Sequence, residues 1–220
     1  MKKILLLCIA GSALLSCGGV KHKENILDSN DWGVNDNSLK MDGYYYQELD
    51  GKIFRNEYTG FSQDETKDRQ HAIKPFLLYA DGSVLTTGAL IGTREKGSFD
   101  HHKECGLTDG NTIRNAKKFF ECDLSHYEDA APIWDRGIYK AGSGTITIQY
   151  YVNLDEKHFL VEKKGEIIND SLFVLKTKFD FELKVLTNIN EEYKFQPFEN
   201  VPKSSNPLVE QRHKYSKAGR

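Results

Sequence analysis

The sequence predicts a mainly β fold, an antiparallel up-and-down barrel or half-barrel of about eight to ten strands with one inserted helix. Three observations carry that expectation. Aromatic residues make up 11% of the chain, with 11 Tyr and 12 Phe, and most stand in short alternating runs that suit a pleated, half-buried surface. Asp-Gly, Gly-Ser-Gly and Asn-Asp steps separate the runs, and such steps favour tight reversals. One stretch, 109–127, switches to helical spacing.

The elements follow in order. Tyr44-Tyr45-Tyr46-Gln47-Glu48-Leu49 reads as a strand, with Asp50-Gly51 as a turn into Lys52-Ile53-Phe54-Arg55. Asp and Gly tolerate the positive backbone dihedrals that a two-residue hairpin needs. Pro75-Phe76-Leu77-Leu78-Tyr79-Ala80 then meets Asp81-Gly82 and continues through 83–90. In 109–127, Ile113, Ala116, Phe119 and Phe120 share a helical stripe, and Thr112 or Asn111 supplies a cap. That helix is expected to plug or cover one barrel end.

Beyond it, Gly137-Ile138-Tyr139-Lys140 turns through 141–144 into Thr145-Ile146-Thr147-Ile148-Gln149-Tyr150-Tyr151. Ile146, Ile148 and Tyr150 fall on one face, at the period of a half-buried strand. Residues 158–162, 167–168 and 171–175 add strands, with Lys164-Gly165 and Asn169-Asp170 as turns. Residues 179–183 and 193–196 supply one or two more. Closing such a meander removes its sticky edges, which is why a barrel is expected. Residues 17–39 read as a flexible tether, 40–199 as the β domain and 200–220 as a disordered tail.

The first residues carry an address. Lys2 and Lys3 precede about a dozen mostly apolar residues, fewer than the roughly 20 of a membrane span, and Leu14-Leu15-Ser16-Cys17 closes the run. This resembles a bacterial lipoprotein signal peptide, 1–16, with cleavage before Cys17. The resemblance implies a diacylglycerol on the Cys17 thiol and a palmitate-type anchor, so Cys17 is the lipidation site. Gly18 and Gly19 follow, with no aspartate directly after the cysteine. In diderm sorting of that type, this implies the outer membrane, with the domain on the periplasmic face.

A second resemblance lies in the domain itself. Trp134-x-x-Gly137-x-Tyr139-Lys140 with Gly144-Thr145-Ile146-Thr147-Ile148, Asp42-Gly43-Tyr44-Tyr45-Tyr46, and 165–173 resemble small lipocalin-like lipoproteins. That resemblance implies a lipocalin-like barrel and brings no catalytic residues.

Composition narrows the partners. A formal charge of -2 and a pI near 6.4 give no footprint for nucleic acid, which calls for a basic surplus. Cys105 and Cys122 remain in the mature domain; in an oxidising compartment an even pair reads as a disulfide. The alternative is a zinc site from His102, Cys105, Cys122 and His126, with His101 spare, since two nitrogens and two sulfurs suit tetrahedral zinc.

Other constellations are weaker. Gly142-x-Gly144 lacks the strand-to-helix context and the Lys-Ser/Thr of a phosphate loop. Ser98, Asp100, His101 and Glu104 form no recognisable nucleophile and base set, and no Gly-x-Ser-x-Gly elbow exists. Asp170-Ser171-Leu172 resembles an O-glycosylation acceptor, with a polar turn as the simpler reading. Tyr44, Tyr45, Tyr46, Tyr150 and Tyr151 suit core packing better than a ligand pocket. The sequence therefore predicts a non-enzymatic lipoprotein with no metal and no cofactor. Its partners are the membrane, through its lipid, and either a small apolar ligand or an envelope protein. The competing reading is a filled barrel that acts through its surface; a zinc-dependent enzyme is the third.

Overall fold

A computed structural model describes residues 22–34, 38–49, 71–88, 90–91, 105–107, 112–125, 136–154, 157–204 and 206–210. Among the described residues stand ten strands and two α-helices: β1 (Gly33–Val34), β2 (Gly43–Glu48), β3 (Ala72–Leu78), β4 (Ser83–Thr86), β5 (Leu90–Ile91), α1 (Ile113–Ser125), β6 (Arg136–Gly142), β7 (Thr145–Leu154), β8 (Lys157–Asn169), β9 (Leu172–Asp180), β10 (Val185–Pro197) and α2 (Pro207–Glu210). Eight of the strands follow the order β6-β4-β3-β2-β10-β9-β8-β7, and β7 pairs back onto β6. Every one of those pairings is antiparallel. The result is a closed eight-stranded up-and-down barrel of lipocalin-like architecture. Among the described residues, closure leaves no long edge for another chain to pair with.

The expected turns at Asp81-Gly82, 141–144 and Asn169-Asp170 all form. Gly82 sits at φ +87°, with Trp32 and Gly33 packed where a Cβ would stand. Lys164-Gly165 is not a turn. β8 runs through it with a shift of register between Lys164 and Gly165, because a glycine here lets the Val174 carbonyl approach where any side chain would block it. A bulge bends the sheet without ending the strand.

Tyr45 to Glu48 pair with β3; the expected turn Asp50-Gly51 and partner 52–55 lie outside the described residues. One further expectation changes. The strand expected over 83–90 is interrupted after Thr86, and β5 resumes pairing with the start of β3.

Each barrel strand alternates between the interior and an outer face, and three apolar clusters result. The interior holds Tyr45, Phe76, Leu78, Val84, Tyr139, Ile146, Ile148, Tyr150, Val161, Phe173, Leu175 and Tyr193. On the outer wall of β2, β3 and β4, Tyr44, Tyr46, Ile73, Leu77 and Leu85 pack under Ala116, Phe120 and Leu124 of α1. Thr112 caps α1, its Oγ1 accepting from Asn115 N at 3.1 Å. The helix thus lies along the barrel wall, where the sequence reading put it over an end. Its apolar stripe matches the outward side chains of the strands.

The third cluster corrects the tether and the tail. From His22 onward the chain folds against the barrel in two short 3-10 turns, and Ile26 and Trp32 bury themselves against Ile138, Tyr151, Leu160 and Leu208. Trp32 Nε1 donates to Leu27 O at 3.1 Å, and β1 pairs in parallel with the end of β6. Residues 198–204 and 206–210 also dock: Asn206 Nδ2 donates to Gly137 O at 2.7 Å, and Ser204 Oγ donates to Asp81 Oδ2 at 2.7 Å. High polarity disguised both segments, since a few large apolar anchors suffice to fix a polar stretch.

Candidate functional site

The barrel interior is where a fold of this kind carries a ligand, and its packing decides what it can hold. Aromatic rings from neighbouring strands and from strands two and three apart meet inside it. Tyr45 on β2 lies 5.0 Å from Phe173 on β9, and Phe173 stacks on Tyr193 of β10 at 5.1 Å. Tyr193 then lies 4.8 Å from Phe76 on β3, and Phe76 lies 6.3 Å from Tyr150 on β7. Tyr139, Ile148, Phe173, Leu175 and Tyr193 are completely buried.

The segment 38–41 packs over one end of the barrel. Leu39 and Met41 pack onto the interior cluster, and the Tyr45 hydroxyl accepts from Lys40 N at 3.0 Å while donating to Asp170 O at 2.7 Å. Burial pushes the Tyr45 phenol well above its ordinary range, as it does for Tyr139. Tyr139 donates to Tyr79 O at 2.8 Å. Both phenols therefore stay neutral and hold backbone carbonyls.

An ion pair occupies the interior further along. Lys163 of β8 is wholly buried, and its Nζ donates to Glu191 of β10 at 2.7 Å to Oε2 and 3.0 Å to Oε1. Tyr193 adds a donor to the same carboxylate at 3.2 Å. Each charge is thus matched by its opposite, which is the condition for keeping charge inside a low-dielectric wall. Sequence reading missed this pair. Its only signal was two charged residues at inward positions of alternating strands, and the bulges at 164/165 and 188/191 hide the parity that would reveal them.

Thr86 is the other buried polar side chain of note. It follows Val84 by two residues and so shares its inward face, and its Oγ1 has no hydrogen-bond partner.

The remaining expected site residues fall as follows. Cys105 and Cys122 form a disulfide, with Cα atoms 5.5 Å apart, which joins the 105–107 segment to the second half of α1. Their sulfurs are consumed, so the zinc arrangement built on them is not formed. His101, His102 and His126 lie outside the described residues, as do Ser98, Asp100 and Glu104. Among the described residues, no group of three or more His, Cys, Asp or Glu stands together.

Tyr44, Tyr46 and Tyr151 pack under covering segments on the outer wall, while Tyr45 and Tyr150 fill the interior. The Tyr44 hydroxyl donates to Glu121 Oε1 at 2.9 Å; burial first, and that carboxylate second, push its phenol far up. The turn 142–144 is a hairpin corner.

Asp170-Ser171 forms the β8–β9 turn. The Ser171 hydroxyl donates to Asp170 Oδ1 at 2.7 Å and accepts from Lys40 Nζ at 2.8 Å. The Ser171 hydrogen bond foremost, with the Lys40 charge, holds the Asp170 carboxyl below its usual range. The hydroxyl is therefore engaged in a small polar network with Asp170 and Lys40.

Cys17 and the 1–16 segment lie outside the described residues. Among the described residues, no helix is long and apolar enough to cross a membrane. Comparison with protein-family models, with curated proteins and with solved structures gives no match to this chain.

Proposed function

We propose that this chain is a non-enzymatic lipoprotein, anchored through Cys17 at the periplasmic face of the outer membrane, whose barrel acts through its outer surface as an envelope interaction module. One observation carries the choice of surface over interior. Rings from five strands meet across the barrel, and beside them Lys163 is neutralised by Glu191. A carrier needs a lumen lined by side chains that the ligand completes. Here the side chains complete one another.

The anchor reading rests on Leu14-Leu15-Ser16-Cys17 and on a domain that folds from His22 onward as a body of its own.

A titration with a fluorescent fatty-acid probe tests the surface reading. The Cys17→Ser domain is expected to show no saturable binding. One-to-one binding that a Phe76→Ala change alters would instead establish the barrel as a carrier. Metabolic palmitate labelling tests the anchor: the wild-type chain takes up label and Cys17→Ser does not, and persistent labelling of the variant would refute lipidation at that thiol.

A further inference from the structure

We infer that the β9–β10 hairpin tip is a second membrane contact, which seats the barrel on the same bilayer that holds the Cys17 lipid. The inference rests on the Cys17 anchor proposed above.

The outer walls of the barrel are covered unevenly. α1 covers β2 to β4, and the two terminal segments cover β6 to β8, whereas among the described residues no such apolar cluster covers the β9–β10 tip, whose Leu183, Val185 and Leu186 stand exposed. Among the described residues, four large apolar side chains stand well exposed, and three of them belong to this tip: Leu183 at 70%, Leu186 at 64% and Val185 at 49%. The fourth, Ile168 at 54%, sits beside the turn at the opposite end of β9.

The tip is preformed. Asp180 Oδ1 accepts from Glu182 N at 3.0 Å and from Leu183 N at 2.9 Å, and Lys184 takes the left-handed conformation at φ 55°. Phe181 tucks inward against the third cluster, with its N–H donating to Leu160 O at 3.2 Å. The turn's own hydrogen bonds therefore fix the backbone that presents Leu183, while Val185 and Leu186, successive residues of β10, stand exposed on its two faces. No order has to be gained when they enter another apolar phase.

The position of the anchor identifies that phase. His22, the first described residue, is fastened to this tip: its Nε2 stands 3.0 Å from Glu182 Oε2, and its ring lies 6.2 Å from the Phe181 ring. Cys17 is five residues earlier in the chain, a span of at most about 18 Å when fully extended. A diacyl chain on Cys17 thus holds the apolar tip within that distance of lipid. Ile168 is farther by the length of the nine-residue β9, about 30 Å of strand.

The chemistry of the tip suits a bilayer surface. Apolar residues flank an exposed Lys184, and Lys23 is exposed beside the anchored end, an arrangement that puts alkyl groups among acyl chains and ammonium groups among phosphates. Glu182 is occupied by His22 and Asp180 by the turn amides, so neither carboxylate need be stripped of its partner.

Depth-dependent quenching tests the inference on the full lipidated chain. Cys105 and Cys122 are bonded and Cys17 is acylated, so Leu183→Cys or Ile168→Cys leaves one thiol for a fluorescent label. Leu186→Cys provides a second reporter at the tip. Each protein is placed in vesicles of phosphatidylethanolamine and phosphatidylglycerol containing acyl-chain nitroxide quencher, and its acylation is read by mass.

The expected result is quenching at 183 and 186 with none at 168. Acylated protein in which all three positions quench alike overturns the tip contact and leaves the anchor standing. Where acyl mass is missing, the same reporters are read with Cys8→Ser and Cys17→Ser added, so that the label stays at one thiol; quenching at the tip then removes the anchor and keeps the contact. Protein with neither acyl mass nor quenching overturns both.

Discussion

Replacing Lys163 with Met should destabilise the barrel by about 3–5 kcal/mol, the cost of removing one member of a buried ion pair. The geometry sets that magnitude. Lys163 is fully buried and the Glu191 side chain only 15% exposed, at 2.7 Å from its partner. Without the ammonium, Glu191 keeps only the Tyr193 hydroxyl as a side-chain donor among the contacts described. Glu191→Leu should cost a similar amount by stranding the lysine. Domains of this size hold about 5–15 kcal/mol in total, so either single change consumes a large share.

The double variant Lys163→Met/Glu191→Leu behaves differently, because two apolar groups of similar volume need no partner. It should fall near wild type or exceed it by about 1–4 kcal/mol. Guanidinium unfolding of all four proteins, read with a common slope, completes the double-mutant cycle. Single changes costing less than about 1 kcal/mol each would match an exposed pair. That result would refute the reasoning, since water would then reach the interior.

Thr86→Val should raise stability by about 1 kcal/mol in the same assay, by removing a buried hydroxyl with no partner; a loss would show that the hydroxyl is engaged. Changing Cys105 and Cys122 to Ser should cost at most about 3 kcal/mol for their sequence separation of 17. Hydrogen exchange should then rise first in α1, and an unchanged α1 would contradict its latching role. Asp170 should titrate below the ordinary value of about 3.9, since the Ser171 hydroxyl stabilises its charged form. A depressed carboxyl contributes stability that is present above the unfolded value and lost as pH falls through the folded one. Ser171→Ala should therefore raise its midpoint in an NMR titration, and an unmoved midpoint would show that the hydroxyl is not the cause.

Strand periodicity made the barrel legible, because aromatic and β-branched residues alternate wherever one side of a strand faces the interior. The same signal misled at Lys164-Gly165, where glycine marks a bulge inside a long strand. It also left undecided which face of 44–46 turns inward, and the answer is that both are buried, by different covers. Residues 22–34 looked like a tether because polar residues outnumber apolar ones. Ile26 and Trp32 bury themselves in the wall and help anchor them, and no local pattern announces a partner surface as distant in sequence as Tyr151 and Leu208. The Cys105–Cys122 bond followed from the expectation of an oxidising compartment, whereas the Lys163–Glu191 pair depends on the register of β8 and β10. The apolar tip was invisible for a related reason: the sequence reading ran a strand through 179–183 and gave Val185 and Leu186 no element, and only the folded sheet places a turn at 181–184 with these side chains exposed beside it.

Native mass spectrometry of the protein released intact from its own envelope tests the central claim most directly, namely a filled barrel that works from its surface. The expected mass is a chain beginning at Cys17 with its acyl groups and its disulfide, and no further ligand. A stoichiometric additional lipid or small molecule, retained when the protein is gently activated, would contradict it and make the interior the working part.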